Sequence, residues 1–587
     1  MGADDSMRPA TLAYRAARDQ LLALRDDPDE ARRRFAFPQV GPVFNWAYDW
    51  FDIIAAGNDR PALVVVDDDG TRTTRTFSEL ADRSARIAAW LRVKGLGKGD
   101  PVVLMLGNEV ALWETMLAAM KAEAVIVPTT TALGPDDLSD RVRRSGARAV
   151  VCGPQDTHKF DAIGTDLVRL CVGAVDGWSD VAEALDGGPV TLEHPGTGAH
   201  DPLLYYFTSG TTSRPKLVEH SHSSYPVGHL STMYWIGLQP GDVHCNVSSP
   251  GWAKHAWSCF FAPWAAEATV LVHNAARFDP ARLLDVLARE HVTTLCAPPT
   301  VWRMLITSDL SGGPWTLREL VAAGEPLNPE VITQVQRRWG RTIRDGYGQT
   351  ETTASVANPP GAAVVPGSMG RPLPGVPVAL VDVVTGTPLT GSGEGELCLD
   401  LARGPVNLMT GYRSGGGAGA ADGTPGDGTP GDETADDPSM AGGFYHSGDL
   451  ASVDEHGMVT FVGRTDDVFK ASDYRVSPFE VESVLIEHEA VAEAAVVPAP
   501  DPLRLSVPKA YIALAPGFEP SRETAFAIFQ YARTHLAPFK RVRRIEFAPL
   551  PKTISGKIRR VELRQREEER PDMPQEYREE DFPELKS

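Results

Sequence analysis

Short apolar runs alternate with stretches in which apolar residues recur every three or four positions. This alternation narrows the folds open to the chain more than any other feature. Residues 62–66 predict a buried strand, and 77–93 a helix with Leu80, Ile87 and Leu91 on one face. The pattern continues with strand 102–106, helix 110–121, strand 124–127, helix 137–145 and strand 149–152. It resumes with strand 269–272, helix 280–290, strand 293–296, helix 301–307, strand 320–323 and helix 329–339. Strands that are apolar throughout, separated by helices, belong to largely parallel sheets covered on both faces. The predicted fold class is α/β, with a large N-terminal domain of parallel sheets wrapped by helices.

The last part is patterned differently. Helix 479–487, strands 494–497 and 509–514, helix 522–536 and strand 543–547 make a small α+β unit. The predicted domains are 1–465 and 466–587. Residues 414–443 are rich in Gly, Asp, Thr and Pro and repeat a Gly-Thr-Pro-Gly-Asp unit, with too little apolar side chain to offset ordering entropy. They predict a flexible loop. The densely charged tail from Gln565 predicts a helix that frays into solvent.

Asp and Glu number 78 against 57 Lys and Arg, a formal charge of −21 over 587 residues. A general binder of nucleic acid or anionic membrane needs a net basic surface, so neither class is expected; a locally basic pocket for an anion stays open. Only twelve residues are lysine, so arginine carries most of the positive charge. Six cysteines without CxxC spacing predict reduced thiols and a cytoplasmic protein. No apolar signal region opens the chain, and the loose myristoylation pattern at Gly2 is discounted for its acidic residues. The most membrane-like stretch, 256–272, is broken by Pro263 and Glu267 and predicts buried core, not a membrane span.

Leu203-Leu204-Tyr205-Tyr206-Phe207 runs into Thr208-Ser209-Gly210-Thr211-Thr212-Ser213-Arg214-Pro215-Lys216. An apolar strand opening into hydroxyls, a glycine and a lysine has the composition of a phosphate cradle. The glycine lets backbone N–H groups approach, the hydroxyls donate and the lysine supplies a point charge. It is not a Walker A loop, because no second glycine precedes the lysine. Asp345-Gly346-Tyr347-Gly348-Gln349-Thr350-Glu351, Tyr445-His446-Ser447-Gly448-Asp449, Gly463-Arg464-Thr465-Asp466-Asp467 and Leu550-Pro551-Lys552-Thr553-Ile554-Ser555-Gly556-Lys557 follow in that order.

These five segments resemble, in type and order, the signatures of the adenylate-forming superfamily: acyl-CoA synthetases, adenylation domains of peptide synthetases and luciferases. Phe44-Asn45-Trp46-Ala47-Tyr48-Asp49, Gly251-Trp252, Pro263-Trp264, the run from Ala297 to Leu305 and Val476-Ser477-Pro478-Phe479-Glu480-Val481-Glu482 are similar to the medium-chain acyl-CoA synthetases. The resemblance covers nearly the whole chain. It implies an ATP-dependent acyl-CoA synthetase that activates a carboxylic acid, a medium-chain fatty or aromatic one, as acyl-AMP and then forms the CoA thioester. It further implies a mobile C-terminal domain.

Residue by residue, the resemblance implies an ATP site formed by Thr208–Lys216 of the cradle, Gly324-Glu325-Pro326 on the adenine side, and Asp345, Gly346, Tyr347, Gly348, Gln349 and Thr350. Tyr347 offers a face on which adenine can stack. Thr350 can hydrogen-bond the α-phosphate, and Glu351 is a hard oxygen ligand suited to Mg²⁺. Asp449 can accept both ribose hydroxyls, with Arg464 beside it. Asp466 is the hinge, and Lys557 stabilises charge in the adenylation transition state. Trp252 lines the acid pocket. Ser472, Asp473, Tyr474, Arg475, Arg504, Arg533, Arg541 and Arg543 match positions on the CoA side, Arg475 also toward the acyl substrate, where arginines can pair with phosphates.

Two positions depart from the family pattern. Ser213 replaces a usual glycine in the cradle. Asp473 replaces a glycine beside the expected pantetheine tunnel, which keeps open an acyl-AMP ligase that hands its product to a carrier protein; a nucleotide-binding module without turnover is a separate alternative, against which Lys557 and Glu351 stand. Small-molecule acid, ATP and CoA are the expected partners, and a homo-oligomer is left open. The GxGxG at Gly95, Gly97 and Gly99 follows a helix and reads as a turn; the HxH at His220 and His222 lacks a third ligand for zinc.

Overall fold

The computed structural model describes residues 7–164, 166–208, 215–275, 277–311, 313, 316–413, 437–471, 474–501, 504–552, 557–569 and 576–586. Most of the cradle (209–214), Ser472, Asp473 and most of the glycine-rich stretch (414–436) therefore lie outside the described residues, and with them the departures at Ser213 and Asp473. The described residues of 1–208, 214–378 and 399–444 form one compact unit, and those of 379–398 and 445–587 belong to a second.

The first unit holds two large sheets. Among the described residues, one has nine strands in the order Arg371–Pro372, Ala354–Ala357, Ile343–Gly348, Glu319–Ala323, Thr294–Ala297, Val243–Asn246, Thr269–Asn274, Pro61–Asp67 and Arg72–Thr76. Its six inner strands, from Ile343–Gly348 to Pro61–Asp67, are parallel, and antiparallel strands close both edges. The other sheet runs Gly411–Tyr412, Lys216–Ser221, Pro202–Thr208, Val125–Pro128, Pro101–Met105, Ala149–Cys152, Val168–Cys171 and Ser179–Asp180. It is parallel from Pro202–Thr208 onward.

The strand–helix alternation is thus realised nearly element for element. Helix Phe77–Val93 starts at a reciprocal cap, in which Thr76 accepts from the Glu79 N–H while Glu79 accepts from the Thr76 N–H. Helix Pro329–Trp339 opens on a proline after Asn328 and stops at Gly340, which has φ +63°. The apolar stretch at 256–272 is core: a helix over 253–265, with a π-helical turn at Trp257–Phe261, followed by strand Thr269–Asn274. A second π-helical turn, Ala47–Phe51, packs against it. Trp46 lies 5.2 Å from Phe261, and the Trp50 indole donates to the Trp264 carbonyl at 3.0 Å. These turns break the 3.6-residue period, and nothing in the sequence announces them.

The second unit contains a four-stranded sheet of Val378–Val381, Gly393–Asp400, Phe444–Val453 and Val459–Arg464, apart from residues at its margin, in which the last two strands are antiparallel. It also contains a sheet of Val491–Asp501, Leu505–Leu514, Arg544–Phe547 and Glu576–Arg578, packed with helices Pro478–Leu485 and Arg522–His535. Packing therefore starts this unit earlier in the chain than the change of pattern at 465/466. Two segments that pair across a long separation in sequence leave no strand–helix rhythm to read.

The tail corrects the sequence expectation. Helix Arg560–Glu569 is present, but residues 576–578 return as an edge strand, and Phe582 and Leu585 are buried against Phe529 and its neighbours. Each such burial contributes roughly 1.5–3 kcal/mol. The buried Lys509 explains the charge density, for it pairs with Glu546 at 2.9 Å, Glu567 at 2.7 Å and Glu576 at 2.9 Å. Acids that read as solvated close a cage around one ammonium.

Candidate active site

In the first unit, the site is assembled at the carboxyl ends of parallel strands, where such sheets bind ligands. Ala323 pairs with Gly346, so Gly324-Glu325-Pro326 and Tyr347-Gly348 emerge side by side. The Leu327 N–H donates to the buried Asp345 carboxyl at 3.4 Å, linking the two segments. Gly346 and Gly348 have no room for a side chain: a Cβ would sit 2.4 Å from the Trp235 ring and 2.4 Å from the Thr353 carbonyl oxygen, respectively. Glu325 accepts from Thr300 at 3.3 Å and lies 3.6 Å from Arg303, both in the run resembling medium-chain synthetases.

The next turn is held from several sides. The Gln349 N–H donates to Thr352 Oγ1 at 3.0 Å, and the Met409 N–H donates to the Glu351 carbonyl at 2.8 Å. His220 Nε2 lies 2.8 Å from the Thr350 carbonyl oxygen. A carbonyl can only accept, so Nε2 carries the proton and Nδ1 accepts from Ser224 Oγ at 3.2 Å. Burial pushes the His220 pKa down to about 4, so the ring is neutral near pH 7. Burial likewise pushes the Asp345 carboxyl up to about 7, against the two backbone N–H groups that lower it.

Glu351, the expected metal ligand, accepts from the Tyr412 hydroxyl at 2.8 Å, and Lys216 Nζ lies 4.3 Å from the Tyr412 ring centre. The first and second sequence motifs are thereby joined through a residue that neither contains. Sequence reasoning missed Tyr412 and discounted His220. Tyr412 is 61 residues and His220 130 residues from its partner, too far for spacing to reveal either pairing.

Trp252 is half-buried and caps the helix that follows it. Gly251 has φ +92°, and a Cβ there would lie 2.5 Å from the Thr130 backbone nitrogen, so only glycine lets these two connecting segments approach. Two residues beyond Trp252, the Lys254 ammonium donates to the Ala323 carbonyl at 3.5 Å.

In the second unit, Asp449 and Arg464 face each other in register, with Arg464 Nη1 donating to Asp449 Oδ1 at 3.1 Å. Asp466 lies 3.4 Å from Arg464 Nε. Lys557 is exposed, and the loop that carries it is pinned at its ends by the Lys552–Ile558 bridge and the Arg559 N–H to Pro551 carbonyl bond. Of the CoA-side positions, Arg533 and Arg543 share Glu579, Arg475 lies 3.7 Å from Glu394, and Arg541 donates to the Leu536 carbonyl at 3.4 Å. Tyr474 is exposed and stacks on Phe539 with ring centres 4.7 Å apart. The Arg504 N–H donates to Asp501 at 2.9 Å.

Known proteins resemble this chain over most of its length. Residues 52–413 match the model of the AMP-binding enzyme family, and 480–557 match that of the AMP-binding enzyme C-terminal domain. The chain is 40% identical to a 4-hydroxybutyrate–CoA ligase of Metallosphaera sedula, over 94% of this chain and 96% of that protein. It is 34% identical to the mitochondrial acyl-coenzyme A synthetase ACSM3 of Mus musculus, over 96% and 97%. The crystal structure of an anthranilate CoA ligase with anthranoyl-AMP superposes with a TM-score of 0.79 at 26% identity, covering 90% of this chain and 98% of that one. A benzoate CoA ligase from Burkholderia xenovorans gives 0.74 at 27% identity, covering 89% and 100%. Among the described residues, no helix is long and apolar enough to cross a membrane.

Proposed function

The chain belongs to the AMP-binding enzyme family, and from that premise we propose that it is an AMP-forming acid–CoA ligase for a medium-chain fatty or aromatic carboxylic acid. In the first step an acid oxygen attacks the α-phosphorus of ATP, forming acyl-AMP and releasing pyrophosphate. In the second the CoA thiol attacks the acyl carbon, the thiol proton leaves, and AMP departs. The convergence of Glu351, Tyr412 and Lys216 carries this reading.

Tyr347 supplies the adenine face, Asp449 the ribose acceptor and Thr350 a hydroxyl toward the α-phosphate. Neutral His220 fixes the Thr350 carbonyl without adding charge. The Glu351 carboxylate, oriented by the Tyr412 hydroxyl, is a hard oxygen donor that fits Mg²⁺, an ion usually held by one or two carboxylates together with substrate phosphates. Bound there, Mg²⁺ would offset phosphate charge. Lys557 serves the first step only, which asks the C-terminal domain to turn about Asp466 before the second. The face around 472–475 then serves CoA.

Pyrophosphate release with ATP and a panel of acids, followed by thioester formation with free CoA, tests the proposal. Release with medium-chain aliphatic or benzoate-type acids and a CoA product supports it. Acyl-AMP that transfers only to a carrier protein, or no release with any acid, refutes it.

A further inference from the structure

Outside the groups used above, three metal-ligating side chains converge on the four-stranded sheet 378–381, 393–400, 444–453 and 459–464 of the second unit. Glu396 and Cys398 sit two positions apart on strand Gly393–Asp400, so both point to the same side. His446 lies on the neighbouring strand Phe444–Val453. His446 Nδ1 is 2.8 Å from Glu396 Oε2 and 3.5 Å from Cys398 Sγ, and all three donor atoms lie within 4.8 Å of one another. A tetrahedral zinc ion with its usual bond lengths spaces its ligands by roughly 3.4 Å. The three atoms need only small side-chain shifts to enclose one.

We propose that Glu396, Cys398 and His446 form a binding site for Zn²⁺ or a similar thiophilic divalent cation, distinct from the Mg²⁺ requirement of the reaction. The ligand set is one thiolate, one imidazole nitrogen and one carboxylate oxygen, a combination that selects zinc-class ions over magnesium. Cys398 is fully buried while Glu396 and His446 are partly exposed, so the sulfur is shielded from solvent and the open side admits the ion and a water as fourth ligand. On binding, Cys398 S–H gives up its proton to solvent, the Nδ1 proton that faces Glu396 Oε2 is lost to solvent while Nε2 takes one up, and Nδ1, Sγ and Oε2 become ligands. No electron is transferred. Burial and the neighbouring Glu396 raise the thiol pKa, so the ion competes with a proton and binding strengthens as pH rises. Glu396 Oε1 meanwhile accepts from the Gly448 N–H at 2.8 Å, which orients the carboxylate for this role as a second contact would in an established metal site. The same strand pair also carries Glu394, 3.7 Å from Arg475, Asp400, which accepts from the Ala402 N–H at 3.0 Å, Tyr445, and Asp449, which accepts from Arg464 of the next strand at 3.1 Å.

The test uses the full chain, stripped by chelator and titrated with Cd²⁺ in excess Mg²⁺, with thiolate-to-cadmium ultraviolet absorption and calorimetry as readouts. The expected result is one equivalent bound with a thiolate band, displaced by Zn²⁺ and accompanied by proton release. Cys398→Ser should abolish the band. Glu396→Gln should keep the band and weaken binding at least about tenfold. Absence of a band in the unaltered protein, or a band that persists in Cys398→Ser, overturns the proposal. Should Cys398→Ser fail to fold, unchanged affinity in Glu396→Gln overturns it instead. Activity is not the readout, so this outcome is independent of whether the ligase reading holds.

Discussion

Glu351 and Lys557, the two charged groups to which the proposed function assigns the first step, lie in different surroundings. The turn before Glu351 is braced by a buried imidazole, the Glu351 carbonyl takes a distant backbone N–H, and the carboxylate itself takes a tyrosine hydroxyl. Lys557 is exposed, between Lys552 and Ile558, which bridge each other. A large core allows polar groups to be fixed before substrate arrives, which is what stabilising phosphate charge requires. A group needed in one half-reaction and unwanted in the next gains from being easily presented and withdrawn. The second unit is not loose as a whole, because its Lys509 cage is as buried as anything in the first unit. The contrast belongs to the two loops, not the two units.

The largest expected effect tests that contrast directly. Lys557→Ala should slow acyl-AMP formation by about a thousandfold, while supplied acyl-AMP and CoA still give thioester at near the unaltered rate; equal loss in both half-reactions would erase the distinction. Lys509→Met leaves three carboxylates buried around an apolar chain and should destabilise the C-terminal unit by about 3–5 kcal/mol. Hydrogen exchange along 505–514 in the full chain reads this, and undiminished protection would mean the cage is not structural. Glu351→Gln keeps the shape and the Tyr412 contact, and should lower kcat/KM about a hundredfold, with partial recovery at high Mg²⁺.

Smaller effects sharpen the account of the braced turn. His220→Leu leaves the Thr350 carbonyl without its donor and should cost about 1 kcal/mol in transition-state stabilisation, read as a fall in kcat with KM for the acid unchanged. His220→Gln, which retains an N–H, should restore most of it. The histidine's pKa is depressed from 6.5 to about 4 on folding, so its stabilising contribution is present above pH 6.5 and lost as pH falls toward 4. Asp345 runs the other way. Its pKa rises from 3.8 to about 7, so its contribution is present below pH 3.8 and fades as pH rises toward 7. Asp345→Asn should flatten that part of the stability profile, and thermal melts between pH 4 and 7 would expose a residual slope.

Much of this molecule was legible residue by residue. Strands Pro61–Asp67 and Glu319–Ala323, and helices such as Phe77–Val93 and Pro329–Trp339, follow from period, caps and proline placement, all of which act within a few residues. The motif at Asp345–Glu351 runs over the end of strand Ile343–Gly348, whereas Tyr445–Asp449 lies within strand Phe444–Val453. Other expectations failed for want of local signal. The acids of the tail read as solvated until Glu576 meets Lys509 across the sheet, and the π-helical turns at Ala47–Phe51 and Trp257–Phe261 have no composition of their own.

The sequence by itself determined the element order, the α/β class and the family signatures, because hydrophobic period, turn chemistry and motif spacing are written along the chain. Only the tertiary structure decided that His220 braces Thr350, that Tyr412 joins Lys216 to Glu351, and that Glu396, Cys398 and His446 share one face. Each of these depends on which strands become neighbours, and that choice is made by the burial of whole faces, to which every residue of the core contributes and no short segment alone.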